Sequence, residues 1–278
     1  MMRIEQIWRY PVKSMAGERL ESAHLGRRGL AGDRGWAVWD EERGGVTNAK
    51  RLPALRALRP RYLTEPAVGG ASPEIEIGFP DGTRRTSGDA QVGKALSDYL
   101  GRAVSLRALG ADGSAAAPRL KLSDEPEDVV RALSGLEPGE PEADFSMLPA
   151  DRLAQLRQDN FFDAFPIHVL TRATLETLRG IAPESDWDVR RFRMNFLVED
   201  AAAGYPEQEW IGRRVRIGDA ILLVDMGCPR CAVPTQPFEE LPKDPRIMRV
   251  LVRETHHIAG IYAGVVEGGE VRVGDEVT

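Results

Sequence analysis

The sequence predicts a β-rich α+β protein. Three observations carry that expectation. Short segments of alternating polar and apolar residues recur along the chain, and the few helical patterns do not separate them regularly. Two segments near the C-terminus also echo each other, each a short alternating strand ending in a Gly-Asp turn. The irregular helix spacing argues against a doubly wound sheet. The echoing units suggest hairpin turns of a small β-barrel.

The elements follow in order. Residues 4–10 alternate and predict a strand, and Pro11 ends it, so that residues 11–14 form a loop. Residues 26–35, rich in Gly and Arg, turn the chain into a strand over 36–39. Gly44-Gly45 predicts a hairpin turn, and Pro80-Asp81-Gly82 another turn after the alternating run 74–79. Over residues 89–100, Val92, Ala95, Leu96 and Leu100 share one helical face, with Gly101 as the stop and a strand over 104–109 beyond it. In the second half, residues 166–170 predict a buried strand. Thr171 then caps a helix that carries Leu175 and Leu178 and ends at Gly180. Residues 195–198 predict a strand, and the echoing units are 214–219 and 270–275. Asp244-Pro245 opens a helix reaching residue 254, since Asp caps and Pro suits the first helical position.

Composition excludes several classes. With 42% hydrophobic residues the chain is not disordered, and two cysteines cannot build a disulfide scaffold. A length of 278 residues allows one large domain or two ordinary ones. The net charge of −6 is unevenly spread: residues 124–144 hold eight acids and one base, so the remainder is near neutral. Of the 37 basic residues only five are Lys. No domain reaches the strongly basic balance of a nucleic-acid surface, so no nucleic-acid partner is expected. The first ten residues lack a signal-like apolar run. The longest stretch free of strongly polar residues, 258–266, is far too short to span a bilayer. A cytoplasmic protein with reduced thiols and no membrane partner is expected. Three segments are expected along the chain: a β domain over 1–110, an acidic linker or insertion over 111–150 with a short helix at 127–133, and a domain over 151–278 opening on a helix at 151–158.

Cys228-Pro229-Arg230-Cys231, in a loop after a strand at 221–226, is the most informative spot. Two cysteines cannot make a four-cysteine zinc site, and the adjacent His256 and His257 have the wrong spacing for a zinc finger. A thioredoxin-type pair wants a helix after its first Cys, which Pro234 and Pro237 oppose. A buried structural pair and a single thiolate ligand to a soft metal or metal cofactor both remain. Lys13-Ser14 offers an ammonium and a hydroxyl at a strand end, suited to a phosphate or to an exposed turn. Asp33-Arg34 reads as an ion pair, a turn or an anion site. In residues 190–195, alternation would put Arg191, Arg193 and Asn195 on one face, an anion site or a solvated face. His24 and His168 read as structural, and His256 and His257 close the last helix, where a cation meets the negative end of the helix dipole.

These residues together resemble the MOSC-domain proteins that carry an N-terminal MOSC β-barrel domain, a group that includes amidoxime-reducing components. The matching pieces are residues 8–14, Gly32-Asp33-Arg34-Gly35-Trp36, Asp163 with Pro166, Arg191-Phe192-Arg193-Met194-Asn195, Trp210, Ile217-Gly218-Asp219, Cys228-Pro229-Arg230-Cys231 and Val273-Gly274-Asp275. The resemblance covers nearly the whole chain except 110–150. It implies a MOSC-type β-barrel with a smaller N-terminal mixed β domain and a molybdenum–pterin (molybdopterin) cofactor in a cleft between them. It implies Cys231 as the metal thiolate, with Lys13, Ser14, Arg34, Arg193, Asn195 and Arg230 holding the cofactor and Asp163 as a catalytic neighbour that handles protons. The chain departs from the pattern at Ala164 and Phe165, where relatives often carry hydroxyls, and at Pro229, which has no N–H to offer.

The resulting expectation is a molybdenum-dependent oxidoreductase that reduces small N-hydroxylated or N-oxygenated compounds, with electrons from a separate donor protein. A second reading is a sulfur or molybdenum-cofactor carrier that uses the Cys231 thiol to hold a persulfide or pass the cofactor on. A third is a barrel that binds without a cofactor.

Overall fold

A computed structural model describes residues 1–110 and 161–278. The acidic stretch 124–144 and the helices expected at 127–133 and 151–158 lie outside the described residues. The chain begins with β1 (Met2–Arg9), β2 (Glu18–Leu20), β3 (Ser22–Gly26) and β4 (Gly29–Leu30). It continues through β5 (Trp36–Asp40), β6 (Gly45–Val46), β7 (Arg59–Tyr62), β8 (Ile75–Gly78), β9 (Arg84–Thr86), α1 (Val92–Leu100) and β10 (Val104–Ala108). The second half holds β11 (Ile167–Thr171), α2 (Arg172–Ile181), β12 (Phe196–Glu199), β13 (Arg214–Ile217) and β14 (Ala220–Pro229). It ends with α3 (Pro245–Thr255), β15 (Ile258–Glu267), β16 (Gly269–Arg272) and β17 (Glu276–Val277). Among the described residues no helix is long and apolar enough to cross a membrane.

Two compact units interleave along the chain. The first unit takes Met1–Arg9, Gly17–Ala31 and Phe165–Thr278; the second takes Tyr10–Ala16 and Gly32–Ala164.

The first unit is a closed barrel of seven strands, in the order β12, β11, β15, β14, β13, β17, β1 and back to β12, with β2 added outside β1. Closure removes the exposed edges of an open sheet. Neighbours are antiparallel except β11 and β12, which run parallel through the crossover helix α2. Alternation sorts the side chains. Ile4, Ile7, Val169, Phe196, Val198, Val215, Ile217, Val224, Ile261 and Ala263 fill the interior. Leu170 and Leu197 point the other way and join Leu175, Leu178, Ile247, Val250, Leu251, Trp187 and Phe192 in a second cluster under α2 and α3. Every residue of β11 is buried, because one face meets the interior and the other meets the helices, so the sequence shows a continuous apolar run. Both helices start on side-chain caps: Thr171 accepts from the Thr174 N–H and Asp244 from the Arg246 N–H.

The second unit holds two small antiparallel sheets, β10-β5-β6 and β7-β8-β9, with α1 packed on a core of Val12, Met15, Val38, Leu55, Ile75, Ile77, Leu96 and Val104. Gly101, at φ 64°, ends α1 in the left-handed region that glycine tolerates best.

Four expectations need correction. The turn at Gly218-Asp219 is a hairpin, with Ile217 opposite Ala220. Its echo at Gly274-Asp275 is not, since β16 pairs with β3 and β17 pairs with β1 and β13. That second turn is instead held on β1, where Gly274 N–H donates to the Ile4 carbonyl at 2.8 Å. Residues 191–195 are not an extended run: Val189–Arg191 is a 3-10 turn and Arg193 has φ 54°, so alternation does not align Arg191, Arg193 and Asn195. Cys228 lies within a strand and not in a loop, because β14 runs on to Pro229. Finally, α2 continues through Gly180 to Ile181, and the residue that caps its end is Ala182.

Candidate functional site

In the second unit, residues 10–13 run beside residues 34–36. The Arg34 N–H donates to the Tyr10 carbonyl at 2.7 Å, the Trp36 N–H to Pro11 at 3.0 Å, and the Lys13 N–H to Trp36 at 2.8 Å. Buried Asp33 locks this pairing: one carboxylate oxygen accepts from the Tyr10 N–H at 2.8 Å and the other pairs with the Arg34 guanidinium. The guanidinium stacks 4.6 Å from the centre of the Tyr10 ring and 5.8 Å from that of Phe162. Lys13 donates to the Phe161 carbonyl at 2.9 Å and pairs with Asp163. Its ammonium is largely buried, whereas Asp163 is exposed. The Ser14 hydroxyl accepts from the Ala49 N–H at 3.0 Å. Lys13, Ser14, Arg34 and Asp163 thus gather around one pair of chain segments.

In the first unit, β14 delivers the two cysteines, both free thiols. Cys228 is buried and Cys231 is partly exposed. The Arg230 guanidinium donates to the Cys228 sulfur at 2.9 Å and to the Phe192 carbonyl at 2.7 Å, and lies 5.6 Å from the Phe192 ring. Its Nε is buried with no hydrogen-bond partner. Burial pushes the Cys228 thiol up; the nearby Arg230 charge and a hydrogen bond from Tyr262 oppose that rise. Tyr262 lies on β15, with its ring 5.6 Å from Phe165 and 5.7 Å from His168. As expected of a structural histidine, His168 is buried, with Nε2 at 3.2 Å from the Ala259 carbonyl.

Asn195 serves the barrel wall. Its side-chain oxygen accepts from the His168 N–H at 3.1 Å and its nitrogen donates to the Trp8 carbonyl at 3.2 Å, so it ties β1 to β11. Arg193 is partly exposed and left-handed. Among the described residues no group of three or more His, Cys, Asp or Glu side chains could hold a metal ion.

Six non-glycine residues among those described have positive φ, and Ser14, Arg34 and Arg193 are three of them, at 68°, 49° and 54°. An L residue pays about 1–2 kcal/mol for that conformation, and such strain clusters at functional sites. Sequence reasoning missed the aromatic partners Tyr10, Phe162, Phe192 and Tyr262. For Tyr10 and Phe192 a signal existed, since each sits inside a motif that holds a site Arg or Lys. Tyr262 carried none beyond being the one aromatic in an otherwise aliphatic strand.

A barrel ending one strand in a thiol pair, and a second β unit presenting Lys13, Ser14 and Arg34, define a two-domain class. Residues 1–101 match the MOSC N-terminal beta barrel domain and residues 156–278 match the MOSC domain. The chain therefore belongs to the MOSC-domain proteins that carry the MOSC N-terminal beta barrel domain. It is 24% identical to mitochondrial amidoxime reducing component 2 of Bos taurus, over 99% of this chain and 82% of that protein. Among solved structures, the YUAD protein of Bacillus subtilis aligns over 100% of this chain and 94% of its own, at 14% identity and TM-score 0.42. YiiM of Escherichia coli aligns over 41% of this chain and 54% of its own, at 16% identity and TM-score 0.31.

Proposed function

We propose that this protein is an oxidoreductase that binds a molybdenum–pterin cofactor and reduces small N-hydroxylated or N-oxygenated compounds, with electrons from a separate donor protein. The observation that carries the reading is the left-handed backbone shared by Ser14, Arg34 and Arg193, a costly conformation of the kind that clusters at functional sites. The relationship to an amidoxime reducing component supplies the substrate class.

The residues present fit such a cofactor. Cys231 offers a soft sulfur donor with solvent access, and the buried Arg230 Nε is a donor without a hydrogen-bond partner, two bonds from the terminal nitrogens that hold Cys228 and Phe192. Lys13, Ser14, Arg34 and Arg193 offer the charge and hydroxyl suited to a phosphate, and Asn195 ties the barrel wall two residues beyond Arg193. When bound, the cofactor supplies two-electron redox chemistry at the metal. The chain's own part is binding and orientation. Arg230 fixes the chain leading into Cys231, Asp33 and Tyr10 hold the Arg34 guanidinium, and Asp163 keeps a carboxylate beside the Lys13 ammonium, where it can accept or return a proton.

The test is metal analysis of chain purified from a host that makes the cofactor. About one molybdenum per chain is expected in the wild type and near none in Cys231→Ala. Metal-free wild type overturns the reading, and a labile persulfide on Cys231 in its place would make the protein a sulfur carrier.

A further inference from the structure

Arg191 has no exposed surface. It ends the 3-10 turn Val189–Arg191, whose start is capped by the Asp188 carboxylate. Four of the five guanidinium N–H groups are spent on backbone carbonyls. Nε donates to Asp186 at 2.9 Å, one terminal nitrogen to Pro234 at 3.0 Å and Gln236 at 3.2 Å, and the other to Pro242 at 2.9 Å. Three of these carbonyls belong to the segment that follows Cys231. The neighbouring Arg190 grips the same segment from outside, through Glu239 at 2.6 Å and Glu240 at 2.5 Å, with its guanidinium 5.8 Å from the Phe238 ring.

The segment is stiff at the end nearest the cysteine. Thr235 donates to the Ala232 carbonyl from its N–H at 3.0 Å and from its hydroxyl at 2.7 Å, and the Gln236 N–H donates to Val233 at 3.1 Å. The Asp244 N–H closes the loop on the Thr235 carbonyl at 2.9 Å. On the other side of the cysteine, the Arg230 N–H donates to the His257 carbonyl at 2.7 Å. Cys231 is therefore a single residue suspended between two fastened ones, Arg230 and Ala232. A buried cation is costly, and an apolar residue would pack there at less expense. What only Arg supplies is a planar fork that reaches four carbonyls at once; a Lys ammonium has three donors at one point.

We propose that Arg191, assisted by Arg190, is the positioning residue for Cys231. By holding the carbonyls of Pro234, Gln236 and Pro242 it sets the backbone that aims the thiol. This rests on the reading of Cys231 as the metal thiolate.

The test follows alkylation by iodoacetamide of the full chain purified from a host that cannot make the molybdenum cofactor, with Cys228 and Cys231 read separately by mass spectrometry. In the wild type the partly exposed Cys231 reacts and the buried Cys228 does not. Arg191→Lys should raise the Cys231 rate about fivefold and Glu239→Gln with Glu240→Gln about twofold, Cys228 staying protected in both, as local loosening requires. Should Arg191→Lys fail to fold, the double Gln variant decides. An unchanged Cys231 rate overturns the proposal, and so does a parallel rise at both cysteines, which marks global opening. Molybdenum is measured on the same variants purified from a host that makes the cofactor. A metal-free wild type sinks the ligand role of Cys231 and leaves the alkylation rates to judge the positioning role alone.

Discussion

The Arg230 guanidinium lies 2.9 Å from the sulfur of Cys228, and that sulfur belongs to a side chain with no exposed surface. The second terminal nitrogen of Arg230 holds the Phe192 carbonyl at 2.7 Å, so one side chain ties the end of β14 to the segment that enters β12. Removing one partner of a buried contact costs more than the contact's net worth, because the remaining group stays desolvated.

Arg230→Met keeps the apolar stem of the side chain and deletes every donor. The Phe192 carbonyl then loses its partner and the Cys228 thiol its cation. We expect a loss of about 1–3 kcal/mol in urea unfolding of the cofactor-free chain. The Cys228 thiol should also move further up, since burial then acts with less opposition. Ultraviolet titration of the thiolate would show the shift; a variant as stable as the wild type would remove Arg230 from the fold's support.

Ser14 separates strain from hydrogen bonding. Its backbone sits at φ 68° and its hydroxyl accepts from the Ala49 N–H. Ser14→Ala loses the bond and keeps the strain, a loss of about 1 kcal/mol. Ser14→Gly loses the bond, sheds the strain and accepts the extra chain entropy of Gly, so it should unfold about 0.5 kcal/mol later than the Ala variant. Both should retain less molybdenum than the wild type. A Gly variant less stable than the Ala variant would show that the left-handed turn stores no strain.

Much of this architecture was legible because alternation reports burial directly: the strand at residues 4–10, the buried run at 166–170 and both helix caps emerge from residue patterns alone. Arg191 was not legible. Its neighbours along the chain suggested an anion site or an exposed basic face, while three of its four carbonyl partners lie 43 to 51 residues away in sequence, where no local pattern reaches. The left-handed backbone at Ser14, Arg34 and Arg193 was hidden for a different reason: a Gly or Asn advertises such a turn, and Ser and Arg do not. Asn195 is expected to help hold the cofactor, and its hydrogen bonds to Trp8 and His168 add a strand tie, invisible in the sequence, that only barrel closure creates. The Gly-Asp echo misled because the same turn chemistry serves a hairpin in one place and a crossing between sheets in the other.

The buried carboxylate of Glu207 gives the protein a pH dependence independent of any cofactor. Glu207 has no exposed surface and accepts from the Thr171 hydroxyl at 2.6 Å and from the Thr174 hydroxyl at 2.6 Å and 2.7 Å, at the start of α2. Burial pushes its carboxyl above the ordinary Glu value, and the two hydroxyls pull it back only in part. A raised value means that the folded state holds the proton more tightly than the unfolded chain. The stabilisation this provides is full below the unfolded value of about 4.3 and is lost as pH rises through the folded value. Thr174→Val removes a donor to the charged form, so its penalty must grow as the carboxylate ionises. We expect Thr174→Val to cost about 1 kcal/mol more at pH 8 than at pH 5 in urea unfolding. An equal cost at both pH values would mean that the carboxyl does not change its protonation state between them.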